Sequence, residues 1–243
     1  MIRRVLAALG ASAVFASSAL AMPSDLVAFL ERTERMASYP KAVAADIVFE
    51  RGGDRDQAFA AVDPEAGKLF LAVRSTGWRA LMPLGWNDGV AIRKGRKTAW
   101  KADQPAPGTD LRPMEFFPFW RSNYEMAFVS DENRTEKTIT LYTNKVSPYE
   151  LLVITFDKTR LVPTTIKYYR ESMNALERLR RNSDFVMVGS RPRPQTITFD
   201  DFQENRHSKC RLRWRVLEQV PGALFSEDTF ARAEVDWPEP AGE

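Results

Sequence analysis

Cysteine and histidine are almost absent from this chain. Its 243 residues include a single cysteine, Cys210, and a single histidine, His207. Zinc fingers, multi-histidine metal centres, iron-sulfur clusters and intrachain disulfides each need several such side chains. We therefore expect no metal site and no cofactor. We also expect the hydrophobic core to stabilise the fold, because no disulfide is available to do so.

Long apolar runs are also missing, apart from one at the N-terminus. Arg3 and Arg4 precede an apolar run at 5–20, and small residues near Ala21 form a signal-peptidase site. We expect residues 1–21 to be a bacterial Sec-type signal peptide that is cleaved after Ala21. No cysteine lies at the cleavage point, so we expect no lipid anchor. Residues 22–243 should then form one soluble domain in the periplasm.

The sequence has no large excess of charge of either sign. Its 35 Lys and Arg residues stand against 32 Asp and Glu, and two of the basic residues, Arg3 and Arg4, belong to the leader. The mature chain therefore has 33 basic residues against 32 acidic ones. Nonspecific nucleic-acid binding needs a concentrated basic surface. We expect no nucleic-acid partner.

The hydrophobic pattern predicts one helix followed by a series of strands. From Leu26 to Ala37 the apolar positions recur at spacings of three and four, with Ser24 as the expected N-cap and Tyr39-Pro40 as the expected end. After this helix the period changes to two, which is typical of strands. The predicted strands are 42–51, 57–62, 68–74, 90–94, 97–101, 124–129, 137–143, 150–157, 162–170, 175–188, 195–202 and 210–218.

The clearest strand alternation lies between Cys210 and Val216. Every second residue from Cys210 is apolar, and Arg211, Arg213 and Arg215 lie between them. Only a strand places all three arginines on one side. This side is either a plain solvent face or a surface for anionic headgroups or an acidic partner. The same interpretation is given to three further arginines, Arg178, Arg180 and Arg181.

Proline and aromatic residues are concentrated between residues 101 and 120. The prolines exclude a regular strand here. The segment nevertheless carries five large apolar side chains, Met114, Phe116, Phe117, Phe119 and Trp120. So much exposed aromatic surface would favour aggregation, so the segment must pack against something apolar. It is either a plug that closes the end of the core or a flap over a ligand cavity.

Catalytic motifs are missing from the sequence. It contains no nucleophile elbow, no phosphate-binding loop and no dinucleotide fingerprint. We expect His207 to be exposed in a polar turn, and Cys210 to be a buried apolar residue. Asp200 and Asp201 are neighbours on one strand and face opposite ways, so they cannot act as a carboxylate pair. We expect a protein that is not an enzyme.

Several segments in the last hundred residues resemble the LolA-like family of outer-membrane lipoprotein-sorting proteins. They are LLVITFD at 151–157, LVPTTIKYY at 161–169, DFVMVG at 184–189, PQTITFDD at 194–201, Arg213-Trp214 and VPGALF at 220–225. The resemblance implies a mainly β fold: a strongly curved, incomplete antiparallel barrel with helices over its concave side. It also implies an apolar cavity that accepts acyl chains. This agrees with the one helix, the dozen strands and the aromatic segment predicted above.

The expected function is that of a periplasmic carrier for the acyl chains of a lipid or lipoprotein. Its partners would be an inner-membrane exporter and an outer-membrane acceptor, with only transient membrane contact. We expect the following residues to form the cavity or flap: Leu30, Met114, Phe116, Phe117, Phe119, Trp120, Leu141, Ile154, Tyr168 and Trp214. Two alternatives remain open: a sensor or regulatory binding module, and a structural accessory of an envelope complex whose cavity is filled by its own side chains.

Overall fold

One helix near the N-terminus lies against a single large sheet. The computed structural model describes residues 22–84, 88–116, 123–144, 148–170 and 172–237. Helix α1 (Ser24–Ala37) buries its apolar stripe, including Leu26, Phe29 and Leu30. Neither helix of the described ranges has the length and apolar content that a bilayer crossing requires.

The start of α1 differs from the prediction. Its N-cap is Pro23, Ser24 is the first helical residue, and no side chain caps the helix. The carbonyl of Pro23 accepts a hydrogen bond from the N–H of Val27 at 3.0 Å. A proline with its fixed φ fits at the start of a helix, where its missing N–H costs nothing. The predicted N-cap, Ser24, was therefore wrong by one residue.

The sheet contains thirteen antiparallel strands. They are β1 (Val43–Arg51), β2 (Asp54–Asp63), β3 (Lys68–Val73), β4 (Trp78–Pro83), β5 (Gly89–Arg93), β6 (Arg96–Trp100), β7 (Tyr124–Glu132), β8 (Glu136–Thr143), β9 (Leu151–Asp157), β10 (Val162–Tyr169), β11 (Leu176–Val188), β12 (Arg191–Asp201) and β13 (Arg206–Val216). Neighbours in sequence are neighbours in space, except that β1 pairs with β13 and that β6 and β7 are the two edges. The sheet is therefore a barrel left open between β6 and β7.

All twelve predicted strands are present, and one further strand was missed. Strand β4 follows the turn at Gly77, ends at Pro83 and is apolar on both faces at Ala80, Leu81 and Met82. Its sequence therefore lacks the alternation that identifies a half-exposed strand. Strand β13 also begins four residues before the prediction, at Arg206, so that the predicted turn is part of the strand.

Apolar residues cover both faces of part of the sheet. The inner face carries one continuous core, to which α1 and strands from both halves of the sheet contribute. A second cluster lies on the outer face of β1–β4, where the C-terminal segment packs on it. This segment contains helix α2 (Gly222–Phe225) and the buried Phe230. The Nζ of Lys68 donates to the carbonyl of Phe225 at 2.8 Å and helps to hold the segment.

Candidate ligand-binding site

A pocket lies between α1 and the inner face of β8–β13. Its cavity volume is about 90 Å³, and the space between its walls reaches about 840 Å³ when the solvent at its open mouth is counted. Most of its wall is apolar and includes Leu30, Phe116, Leu141, Phe156, Ile166, Ile197 and Trp214. Polar side chains are fewer, and they include Glu34, Tyr39, Arg180, Asn182 and Arg193. Such a pocket suits a ligand that is apolar over most of its length.

Helix α1 forms the roof of this pocket and is attached near both ends. In its first half, the ring of Phe29 meets the ring of Phe156 edge-on, with 5.7 Å between centroids. At its other end, Arg193 of β12 donates to the carbonyls of Met36 at 3.1 Å and Ser38 at 2.6 Å. The helix therefore crosses the strands from β9 to β12, and the pocket lies under it.

The structure brings four of the predicted site residues together. Leu30, Phe116, Leu141 and Trp214 all line the pocket. The indole N–H of Trp214 donates to the carbonyl of Pro194 at 2.8 Å, which holds its ring against the wall. These four positions come from α1, the 101–116 segment, β8 and β13, so only the tertiary fold makes them neighbours.

The other predicted site residues lie elsewhere. Met114, Ile154 and Tyr168 are buried in the core but are not among the residues of the pocket wall. Ile154 pairs with Ile166 of the neighbouring strand and points into the closed part of the core. Phe117, Phe119 and Trp120 lie outside the described residues.

The segment 101–116 fills one end of the core. Ala102, Ala106, Leu111 and Met114 are buried in the main cluster, and a short 3₁₀ helix (Pro113–Phe116) ends this part. Backbone hydrogen bonds fold the segment on itself; the N–H of Met114, for example, donates to the carbonyl of Ala102 at 3.0 Å. In its described part the segment is therefore a plug, which is one of the two interpretations of its sequence.

A buried ionic cluster joins this plug to β11. The Nε of Arg178 lies 2.9 Å from Oε1 of Glu115, and Nη1 of Arg112 lies 3.1 Å from Oε1 of Glu177. Asp201 lies within 3.5 Å of Arg112. All of these side chains are nine-tenths buried or more. Burying a charge is costly, and pairing it with an opposite charge in this way offsets much of the cost.

The cluster corrects the interpretation of the 178–181 arginines. Arg178 and Arg180 are buried, and only Arg181 lies on the outer face, where it pairs with Asp200 at 2.5 Å. The pairing of β10 with β11 skips Glu177, so this residue forms a bulge that turns its carboxylate toward Arg112. The partners of the buried arginines come from a distant loop, and the sequence pattern of one strand carries no sign of them.

The pKa values follow from this pairing. Burial raises the pKa of the Glu177 carboxyl, but hydrogen bonds from Arg170 and Arg112 outweigh it and bring the pKa below its ordinary value. Burial likewise acts to lower the pKa of Arg112, and the opposing effect of Tyr149, Glu115 and Glu177 raises it overall. Glu177 and Arg112 are therefore both charged throughout the physiological pH range.

The outer-face arginines of β13 are exposed, as the alternation predicts. Arg213 and Arg215 both reach Oδ2 of Asp46 on β1, at 3.1 and 2.7 Å, and Arg211 pairs with Glu50 at 2.7 Å. These arginines therefore stabilise the junction of β1 and β13 from the solvent side. The Arg211–Glu50 pair is exposed at both partners and contributes little free energy, whereas Asp46 is buried beneath its two arginines.

The structure also places the histidine, the aspartates and the cysteine that the sequence analysis considered as catalytic candidates and set aside. His207 is exposed on β13, with its Nδ1 2.7 Å from Oδ1 of Asp200. Asp201 faces the opposite side, in the buried cluster. Cys210 is fully buried, and this burial strongly raises the pKa of its thiol. Within the described ranges, no group of three or more His, Cys, Asp or Glu side chains is placed to hold a metal ion.

Sequence reasoning missed three polar residues of the pocket wall: Tyr39, Arg180 and Arg193. Tyr39 was interpreted only as part of the helix end, and Arg180 as a residue of a solvent face or of a surface for anionic headgroups or an acidic partner. A signal for Arg193 exists in its flanking residues, since Pro192 and Pro194 bracket one arginine inside an apolar strand. Proline cannot donate to the sheet ladder, so an arginine between two prolines marks a position that departs from a plain strand pattern.

Comparison of the fold with solved structures identifies its class. A putative outer-membrane lipoprotein-sorting protein domain from Vibrio parahaemolyticus superposes with a TM-score of 0.71 at 13% identity, covering 85% of this chain and 98% of that one. The chain has the LolA-like fold. The predicted fold class, a mainly β open sheet with an N-terminal helix, is thereby confirmed.

Two further structures share the LolA-like fold with this chain. A LolA-superfamily protein from Nitrosomonas europaea has a TM-score of 0.63 at 15% identity and covers 83% of this chain and 97% of that one. A DUF1329-family protein from Desulfovibrio piger has a TM-score of 0.65 at 10% identity and covers 83% and 95%, respectively. No protein-family model and no curated protein matches the sequence. At these identities the likeness establishes the fold alone.

Proposed function

We propose that this protein is a periplasmic carrier that binds the acyl chains of a lipid or lipoprotein in the pocket under α1. It moves them between components of the envelope without catalysing a reaction. The observation that carries the proposal is the open, mainly apolar pocket between a helix and the inner face of a LolA-like sheet. The apolar run at 5–20 supports export, and with residues 1–21 removed the carrier would be the single domain 22–243.

Transfer energies explain why such a pocket is useful. Each buried methylene is worth about 0.8 kcal/mol, so a chain of about 14 methylenes loses about 11 kcal/mol on entering water. Escape from a membrane without help is therefore slow. A protein with an apolar pocket lowers this barrier, provided that its own affinity is weak enough for release.

The pocket wall fits a tail more closely than a fixed polar substrate. Leu30, Leu141, Ile166 and Ile197 offer aliphatic contacts, and Phe156 adds an aromatic ring. Dispersion contacts of this kind tolerate tails of differing length, whereas a wall of hydrogen-bonding groups would demand one substrate. The polar groups of the wall are fewer and would contact only the head of the ligand.

The first experiment is lipid extraction from the protein purified out of a bacterial periplasm, followed by mass spectrometry. We expect about one lipid or lipidated species for each protein. Ala37→Trp places an indole in the pocket at the last turn of α1, so it should reduce the recovered lipid severalfold. Ala99→Trp makes the same change on the exposed strand β6 and should have no effect.

Transfer of a labelled lipid between two vesicle populations tests the carrier role itself. We expect the wild-type protein to accelerate transfer and Ala37→Trp to abolish most of the acceleration. Bound lipid without transfer would contradict the carrier role and favour a sensor or regulatory module. Protein recovered without lipid, and unable to take any up from vesicles, would contradict the proposed function altogether.

Export is tested separately by N-terminal sequencing of the periplasmic protein. We expect the mature chain to begin at Met22, after cleavage behind Ala21. A chain recovered intact from the cytoplasm would contradict the periplasmic location.

A further inference from the structure

Two arginines in the pocket wall are almost completely buried. Arg180 of β11 is 8% exposed and Arg193 of β12 is 6% exposed. Both occur among apolar neighbours such as Ile166 and Ile197. A buried guanidinium is costly unless a counter-charge accompanies it. The counter-charge for Arg180 and Arg193 must come either from the protein or from a ligand.

The protein itself offers these two arginines only neutral acceptors. Arg193 donates to the backbone carbonyls of Met36, Ser38 and Pro192. Arg180 donates Nη1 to the carbonyl of Glu115 at 2.6 Å and Nε to Oδ1 of Asn182 at 2.8 Å. No carboxylate oxygen of the residues that the structure describes lies within 4.0 Å of either guanidinium.

The carboxylates of the pocket wall do not neutralise both arginines. The carboxylate of Glu115 is paired with the buried guanidinium of Arg178. Glu34 is half-buried on α1 and offsets at most one of the two positive charges. The carbonyls at the end of α1 offset about half a unit of the charge of Arg193. The wall therefore keeps an excess of positive charge.

The neighbourhood of Arg193 is consistent with this excess. Burial lowers the pKa of Arg193; Tyr39 opposes this effect and the positive charge of Arg191 reinforces it. Arg191 is half-buried and has its Nη1 3.7 Å from the sulfur of Met36. An anion bound here would be stabilised by at least two guanidinium groups.

The polar groups of the pocket lie close to one another. Tyr39 connects the two arginines: its ring lies 4.5 Å from the guanidinium carbon of Arg193, and its hydroxyl donates to the carbonyl of Phe116, next to the acceptor of Arg180. This group lies toward the C-terminal end of α1. The apolar contact of Phe29 with Phe156 lies toward the other end of the helix.

We infer that the ligand of this pocket is an acidic amphiphile, whose anionic headgroup binds beside Arg180 and Arg193 while its hydrocarbon chain lies along the apolar wall under α1. The inference rests on the proposed function, since it specifies the class of acyl ligand. The shared chemistry is a single anionic oxygen group, carboxylate or phosphate, on one saturated chain. Two guanidinium groups bind either of them by charge-assisted hydrogen bonds.

The experiment measures binding of three probes with the same chain, dodecanoate, dodecyl phosphate and dodecanol, to delipidated protein by equilibrium dialysis. We expect one or both anionic probes to bind at least about tenfold more tightly than dodecanol, because a charged hydrogen bond is worth a factor of this size. The probe that binds more tightly distinguishes a carboxylate from a phosphate head.

Variants then assign the preference to the two arginines. Arg180→Gln and Arg193→Gln should each weaken binding of the preferred anion about tenfold and leave dodecanol binding unchanged. Arg181→Gln is the matched control, because Arg181 is the next residue on β11 and faces outward. Arg180→Lys and Arg193→Lys keep the charge and should keep the preference for the anion, even if a Gln variant folds poorly.

Four results would overturn the inference, and they differ in whether acyl binding is still supported. Equal binding of all three probes, or a preference that survives both Gln variants, contradicts the acidic headgroup but leaves acyl binding in place. Loss of the preference in the Lys variants, with dodecanol still bound, has the same meaning. Failure of every probe to bind the wild-type protein contradicts the proposed function as well.

Discussion

Glu115 and Arg178 form an ion pair in the interior of the protein, with 2.9 Å between Oε1 and Nε. Their side chains are 3% and 1% exposed. Arg178 also lies over the ring of Phe199, with its guanidinium carbon 4.1 Å from the centroid. The pair joins the plug that follows β6 to the beginning of β11. The plug is therefore held in the sheet by charge as well as by its apolar side chains.

Removing one member of this pair should destabilise the protein strongly. Arg178→Met leaves the carboxylate of Glu115 buried without its main partner, and we expect a loss of about 3–5 kcal/mol in the free energy of unfolding. Each single variant leaves one buried charge without its main partner, whereas the double variant Glu115→Gln with Arg178→Met removes both charges. The double variant should therefore lose less free energy of unfolding than the sum of the two single variants. Urea unfolding at neutral pH measures all three.

The control for this pair is an exposed one. Lys97 and Glu227 form an ion pair at 3.1 Å on the surface, and Lys97→Met should have a much smaller effect. Strictly additive losses for Glu115 and Arg178 would show that the two residues are not coupled.

Acid should weaken the fold through Glu177. Because hydrogen bonds from Arg170 and Arg112 outweigh the burial of this carboxyl, its pKa lies below the ordinary value of 4.5 in the folded protein. The unfolded chain therefore takes up this proton first as the pH falls, and stability is lost below about pH 5. We expect Glu177→Gln to be less stable at neutral pH but to lose less on acidification. Unfolding curves at neutral and acidic pH measure this loss. If acidification lowers the free energy of unfolding of the wild type and of Glu177→Gln by the same amount, the prediction is contradicted.

The C-terminal segment should be essential for stability. Phe230 is fully buried on the outer face of β1–β4, beside Phe59 and Phe70. Phe230→Ala should cost about 3–5 kcal/mol, which is typical of a large aromatic side chain removed from a core. The control is Phe202→Ala, since Phe202 is 52% exposed. Thermal unfolding that ranks the two variants in the opposite order would show that the segment is not packed as described.

Cys210 should not react in the folded protein. Its side chain is fully buried and its pKa is raised by burial, so that little thiolate is present or accessible. We expect a thiol reagent to label it only after unfolding, at a rate set by opening of the sheet. Rapid labelling under native conditions would mean that β13 opens readily at the centre of the sheet.

The sequence predicts the parts of this fold in which one strand face meets water. From Cys210 to Val216 the alternation is regular, and the structure places the apolar side chains inside and the arginines outside. The prediction fails where both faces are covered. Strand β4 was missed because Leu81 packs under the C-terminal segment while Ala80 and Met82 face the inner core.

The pocket could be predicted only in part. Apolar residues such as Leu30 and Leu141 follow from helix and strand periodicity, since both belong to apolar faces. The position of Arg180 does not follow, because its acceptors are Asn182, two residues away, and the backbone of Glu115 in a distant loop. Local patterns indicate which side of a strand is apolar, but they do not reveal a polar partner that tertiary folding brings from elsewhere.

The pairing of the first strand with the last one, Val43 with Val216 at one end of β1, has a consequence for how the chain folds. Strands β1–β6 and β7–β13 each form from local hairpins. The two halves join through the pairing of β1 with β13, which can form only after nearly the whole chain has been synthesised. Contacts so distant in sequence slow folding. A polypeptide of this topology therefore stays unfolded for longer after synthesis than one whose strands all pair with their neighbours in sequence.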